Sequence, residues 1–215
     1  MSFNVQVSTL KKFEGAYAVA PQSGLFAGVA SGADFFSARW APDVAGSPTT
    51  NKRHFFVLQR FRAKWRDIHD PTATQEIGLG LFIARSFTVA DNAGTGAAAV
   101  DFTASSGNVG KKRTSMPTSA FGAANMWMGG SAAISGGTRT VDAQPIKADA
   151  FSALADAATV QKGTMELFLS QEDLDRVPVV LAPNEGLVLR CLQTMGAALT
   201  ARLIVEMDWL EVERY

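Results

Sequence analysis

LTARLIVEMDW, residues 199–209, decides the fold. Leu199, Ala201, Leu203, Val205, Met207 and Trp209 take the odd positions. Thr200, Arg202, Glu206 and Asp208 lie between them, and only Ile204 breaks the alternation. A period of two is the side-chain repeat of a β-strand, whose successive Cβ atoms face opposite sides of the sheet. Wound as a helix, the same residues would scatter apolar groups around the cylinder and bury no single face. The stretch predicts a strand with one dry face and one wet face.

The signature recurs along the chain. Within 54–67, Gln59, Phe61, Ala63 and Trp65 share one predicted face, and Arg60, Arg62, Lys64 and Arg66 share the other. Ile77, Leu79, Leu81, Ile83 and Phe87 alternate with Gly78, Gly80, Ala84 and Ser86. Small residues on one face of a strand predict the close approach of another backbone or a tightly curved sheet. Shorter strands are predicted at 25–30, 34–40, 97–103, 125–134, 138–142, 163–170, 179–181 and 187–192. Turn-rich stretches separate them: APDVAGSPTTNK (41–52), HDPTATQ (69–75), DNAGTG (91–96), SSGNVGKKRTS (105–115) and APNEG (182–186). ALADAATVQ (153–161) and SQEDLDR (170–176) are long enough for one helical turn each. Eight to ten strands without alternating βα units predict an all-β, jelly-roll-like antiparallel sandwich. Residues 1–23, in which Phe3, Val5 and Val7 alternate with polar neighbours, read as an extended N-terminal arm. Such an arm can add to a sheet edge, its own or a neighbour's. Residues 24–215 read as one sandwich domain.

Composition narrows the function. The 215 residues can bury a sizeable core without staples. Only 19% are charged, below the usual ~25%, which suits a subunit packed among others. Twenty basic side chains balance twenty acidic ones, so the excess of a dedicated nucleic-acid binder is missing and direct nucleic-acid binding is not expected. The lone Cys191 sits in an apolar run and reads as a small buried hydrophobe. MSFNVQVSTLKKFEG lacks the apolar core of a signal peptide, and no apolar stretch is long enough to span a bilayer. Synthesis in a host cytoplasm, with no membrane partner, is expected.

No catalytic, cofactor-binding or metal residue is assigned. GNVGKK (107–112) departs from a phosphate loop, with Ser105 in place of the first glycine and Lys112 in place of the hydroxyl. His54 and His69 stand far apart, and Asp67, His69 and Asp70 read as a polar turn. Glu206 and Asp208 read as solvated carboxylates rather than a glycosidase pair. There is no G-x-S-x-G elbow. The expectation is a protein that is not an enzyme and uses no cofactor. Of the four tryptophans, Trp65 and Trp209 read as core, and MWMGG (126–130) as the exposed-looking aromatic site for a carbohydrate. Four cations on one strand face, Arg60, Arg62, Lys64 and Arg66, require counter-charges. These are cross-strand acids such as Glu206 and Asp208, the preferred source, or a partner subunit, or nucleic acid.

Six stretches occur in order: DFFSARW (34–40), LFIARSFTVADNAGTG (81–96), KKRTSMPTS (111–119), GGTRTVDAQPI (136–146), PVVLAPNEGLVLR (178–190) and VEMDWLEVERY (205–215). Together they resemble structural proteins of tailed bacteriophages. The resemblance covers most of the chain from about residue 25, and none of its stretches is a catalytic motif. It implies a jelly-roll-like virion component, foremost a capsid decoration or cement subunit. Such a subunit would be a homo-oligomer, with a trimer expected, and would bridge neighbouring major capsid proteins. The alternatives are a tail or neck component, or a surface-exposed receptor- or carbohydrate-binding virion protein. The candidate subunit-interface residues are Phe3, Val5, Val7, Arg60, Arg62, Lys64 and Arg66.

Overall fold

A computed structural model describes residues 13–42, 55–69, 71–94, 97–99, 109–111, 119–121, 124–155, 162–168 and 178–212. Among them every regular element is a strand. In chain order these are β1 (Phe13–Val19), β2 (Phe26–Ala27), β3 (Asp34–Trp40), β4 (Phe55–His69), β5 (Gln75–Val89), β6 (Ala98–Ala99), β7 (Val109–Lys111), β8 (Met126–Met128), β9 (Thr138–Val141), β10 (Lys147–Ala153), β11 (Lys162–Phe168), β12 (Val180–Leu181), β13 (Glu185–Cys191) and β14 (Thr200–Val212).

The eight longest strands pair in a nested order. β1 pairs with β14, β3 with β13, β4 with β11, and β5 with β10, all antiparallel. That is one long hairpin of strand pairs. Two further pairings, β14 with β4 and β13 with β5, close it into two sheets. The first sheet runs β11-β4-β14-β1-β7 and the second β10-β5-β13-β3-β8-β6. A rolled hairpin of eight strands in two sheets is a jelly roll, as expected from the alternation.

β14 carries out its pattern without exception. Leu199, Ala201, Leu203, Val205, Met207 and Trp209 are all fully buried. Between the sheets one aromatic cluster joins Trp40, Phe56, Phe121, Trp209 and Tyr17, with ring centroids 5.1 to 6.0 Å apart. A second joins Phe26, Phe35 and Trp65 at 4.6 and 5.9 Å. The interior is filled with rings.

Bulges explain where the alternation misleads. On β4, Arg60 faces Asp208 while Leu58 faces Trp209, so Gln59 has no opposite number. Two inward series, Phe56–Leu58 and Phe61–Ala63–Trp65, therefore fit on one strand. Gln59, expected on the dry face, is half-buried. On β5, Ser86 has φ +49° and resets the register. Phe87 consequently leaves the face of Leu79 and Leu81 and joins Ala84, Val188 and Val141 in a small cluster apart from the main core. Gly78 and Gly80 do mark a close approach, but by a side chain: an added Cβ would come within 2.9 Å of Leu192.

The expected arm, residues 1–23, is corrected in part. Residues 13–19 are a strand lying between β14 and β7, with Tyr17 fully buried. Residues 21–23 follow β14: the Val205 amide donates to the Pro21 carbonyl at 3.0 Å and the Ser23 amide to the Leu203 carbonyl at 2.8 Å. Tyr17 and Val19 of this segment belong to the core of the sandwich. Phe3, Val5 and Val7 lie outside the described residues. So does the expected turn at 170–176, and of 153–161 only Ala153, Leu154 and Ala155 are described, none of them helical. APNEG does join two strands tightly, but they belong to different sheets. Asn184 there takes φ +64°, a conformation asparagine tolerates.

Candidate functional site

The wet face of the first sheet carries the stripe singled out from the sequence. β4 lies between β14 and β11, so each stripe residue has two cross-strand neighbours. Arg60 lies between Asp208 and Phe168, and Arg62 between Glu206 and Glu166. Lys64 lies between Ile204 and Thr164, and Arg66 between Arg202 and Lys162.

The first three cations are matched by acids. Arg60 Nε is 3.1 Å from an Asp208 oxygen. Arg62 Nε donates to Glu166 Oε1 at 2.9 Å and Arg62 Nη1 to Glu206 Oε2 at 3.4 Å. Lys64 Nζ donates to Glu206 Oε1. The bond to Glu166 holds the Arg62 guanidinium above its ordinary value, aided by the charges of Glu166 and Glu206. The Lys64 hydrogen bond holds the Glu206 carboxyl below its ordinary value, with the charges of Lys64, Arg62 and Arg60 acting the same way. Cross-strand acids therefore account for most of the stripe. Cross-strand pairing of this kind makes this part of the face locally neutral.

The pattern stops at Arg66. It and Arg202 are exposed and directly opposed across the strand pair, with Lys162 next in the row. No acid partners either arginine among the described residues. They border a hollow of about 200 Å³ with Gln22, Leu25, Ile68 and Ile204. Ile204, the one residue that breaks the alternation of β14, forms part of its apolar lining.

The second sheet carries a different ionic device. Arg139 on β9 reaches Asp34 and Asp91, both nearly buried. Arg190 Nε donates to Asp34 Oδ1 at 2.7 Å. The Gly137 amide donates to Asp91 Oδ1 at 3.0 Å, and the Arg139 guanidinium sits 5.0 Å over the Phe87 ring. The clamp fastens β9 and the segment before it across β5 and β3. The sequence signal for it is slight: acids and arginines remote in the chain meet only through the roll.

Other candidates resolve as structural. Glu211 extends the inward series of β14 and is fully buried. Its carboxylate accepts from the Ala120 amide at 2.9 Å, the Ser119 hydroxyl at 2.5 Å and Trp209 Nε1 at 3.1 Å. Asp67 is buried and accepts from Trp65 Nε1. Cys191 is buried, its thiol donates to the Gln193 carbonyl at 2.8 Å, and burial pushes its pKa up. Val109, Gly110 and Lys111 of the would-be phosphate loop form β7. Met126 and Met128 of MWMGG point into the core, and half-buried Trp127 donates its indole N–H to the Ala124 carbonyl at 2.9 Å. Trp40, Trp65 and Trp209 are also interior. Among the described residues no three His, Cys, Asp or Glu side chains converge as metal ligands.

No family model matches the chain, and no curated protein does. Solved structures give low-scoring likenesses to virus structures. A mud crab tombus-like virus structure is 9% identical, with 92% of this chain and 90% of that chain covered, at a TM-score of 0.32. Sacbrood virus of honeybee is 11% identical, covering 94% and 74%, at 0.29. A virus-like particle of giant freshwater prawn Macrobrachium rosenbergii nodavirus is 8% identical, covering 90% and 82%, at 0.27. The jelly-roll assignment rests on the strand order.

Proposed function

We propose that the chain is a structural subunit of a tailed-bacteriophage particle, and within it a capsid decoration or cement protein. The carrying observation is a jelly-roll strand order closed over an interior in which large aromatic side chains are fully buried. Jelly rolls serve as shell subunits, lectins and cupins, so the fold by itself leaves function open. The interior favours a shell subunit. Large rings occupy the space a cupin needs for its metal and substrate, and three of the four tryptophans a lectin would present to sugar are buried. What remains is a subunit that works through its outer surfaces. Stretches resembling phage structural proteins supply β3, β9, β12, nearly all of β13 and much of β5 and β14, which supports placing the subunit in a virion.

The mechanism is passive. Each bridge removes apolar area from water, worth roughly 25 cal/mol per Å² before ordering costs. Repeated bridges around a shell then reinforce one another. Phe3, Val5 and Val7 are proposed to add to a neighbouring subunit, and a trimer is the proposed unit. Quantitative mass spectrometry of purified particles tests this reading. Hundreds of copies per particle are expected. A handful to a few dozen would move the protein to the neck or tail, and absence from the particle would refute the reading.

A further inference from the structure

We propose that the opposed pair Arg66–Arg202 is a docking site for an acidic protein segment, one or two of whose carboxylates sit between the two guanidinium groups. The inference names the chemistry of a partner and rests on the assembly reading above.

The pair breaks the rule that governs its own face. Glu166, Glu206 and Asp208 match Arg60, Arg62 and Lys64. In the last row three cations occupy neighbouring strands, about 4.8 Å apart, with no acid between them. Like charges directly opposed across a strand pair destabilise it, and they lie within one screening length at physiological salt. Among the described residues the stripe therefore ends in an unbalanced cationic pair beside a row of matched charges.

The surroundings select the anion. Arg66 and Arg202 present planar forks that match a carboxylate with paired N–H donors. The hollow of about 200 Å³ between them is lined by Leu25, Ile68 and Ile204 besides Gln22, and Leu25 is 39% exposed. It accommodates the methylene stem of an Asp or Glu as well as its head. A nucleic-acid strand laid from this row along the stripe fits poorly, because it would run over Glu206, Glu166 and Asp208. A second copy docked face to face would set the same cationic edge against a face carrying more cations than acids. A compact acidic segment of a partner protein remains.

The test uses the full chain and a fluorescein-labelled peptide of alternating aspartate and leucine, read by fluorescence anisotropy. Saturable binding is expected, weakened about tenfold or more by Arg66→Gln or Arg202→Gln and unchanged by Lys147→Gln on β10. Each of the two arginine variants should melt about 1–3 °C above the parent, because repulsion is relieved. Lack of peptide binding, or equal affinity in all variants, would overturn the proposal. So would a lower melting point in both arginine variants, which would mean the pair is satisfied in the free protein. Tighter binding of a 20-mer oligothymidylate, lost in the same variants, would assign the row to nucleic acid instead. None of these results changes the copy number in the particle, so the two readings fail separately.

Discussion

Truncating Trp209 tests the aromatic interior most directly. Its ring is fully buried and touches Tyr17 at 5.6 Å, Phe56 at 5.9 Å and Phe121 at 5.5 Å between centroids. Its indole N–H donates to Glu211 at 3.1 Å. Trp209→Ala opens a cavity that three rings on two strands and a loop cannot easily close. Large aromatic-to-alanine changes in such sites cost about 3–5 kcal/mol. At about 2–4 °C per kcal/mol for a chain of this size, the melting midpoint should fall by roughly 6–20 °C. Trp127 is the internal control. It is half-buried on a three-residue strand and its N–H is spent locally on Ala124. Trp127→Ala should cost no more than about 1–2 kcal/mol. Urea titrations followed by far-ultraviolet circular dichroism compare the two without relying on the deleted fluorophore. Equal losses, or a larger loss at Trp127, would refute the assignment of Trp209 to the centre of the packing.

Three further outcomes are expected. Val205→Asp places a carboxylate on the fully buried face of the central strand β14 and should abolish soluble expression; normal folding would show the face to be misassigned. Arg139→Ala leaves Asp91 buried without its cation and Asp34 with only Arg190, and should cost about 3–5 kcal/mol in urea unfolding, against under about 1 for Arg85→Ala, whose pairs are exposed. Glu206 is held below its ordinary value in the folded state, so its contribution is present above the unfolded carboxyl pKa of about 4.3 and is lost as pH falls through the lower folded value. The stability gap between the parent and Glu206→Gln should therefore be greatest near neutrality, shrink in strong acid and narrow with salt; a gap that grows on acidification would contradict the cross-strand pairing.

The legible parts of this molecule are those a single strand specifies. The faces of β14 follow from alternation alone. The matching of Arg60 and Arg62 to Asp208 and Glu206 follows because both strands alternate and opposite charges attract across a pair. What alternation cannot carry is a change of parity. One extra residue at Gln59, and one left-handed residue at Ser86, each exchange the faces of everything beyond them, and neither residue type announces a bulge. Glu211 shows the converse: its position says buried and its chemistry says wet, and three donors from the loop at 119–121 and Trp209 settle it for position. The Arg66–Arg202 opposition was hidden for a third reason. It depends on register between strands remote in sequence, which no local pattern encodes.

That same remoteness governs how the molecule must fold. β1 pairs with β14 from Phe13 against Val212, and β14 also holds β4. The first sheet lacks its β1–β14 pairing until residues near the two ends of the described chain have met, and in the second β13 must find β3 and β5 from far along the chain. Such non-local pairing brings loop-closure entropy before contact energy, and it slows folding to milliseconds or seconds. The hairpin-like pairs β5–β10 and β4–β11 are closer in sequence and should form first, leaving β14 to lock the roll. Stopped-flow refolding can read this through Trp209 and Trp65, which are buried only when β14 is in place between its neighbours. Substitutions on β14 such as Met207→Ala should then raise the unfolding rate with little effect on the folding rate, whereas Leu79→Ala on β5 should slow folding. A submillisecond folding phase that recovers the full tryptophan signal, or the reverse assignment of the two substitutions, would break the link between nested strand order and folding that this argument rests on.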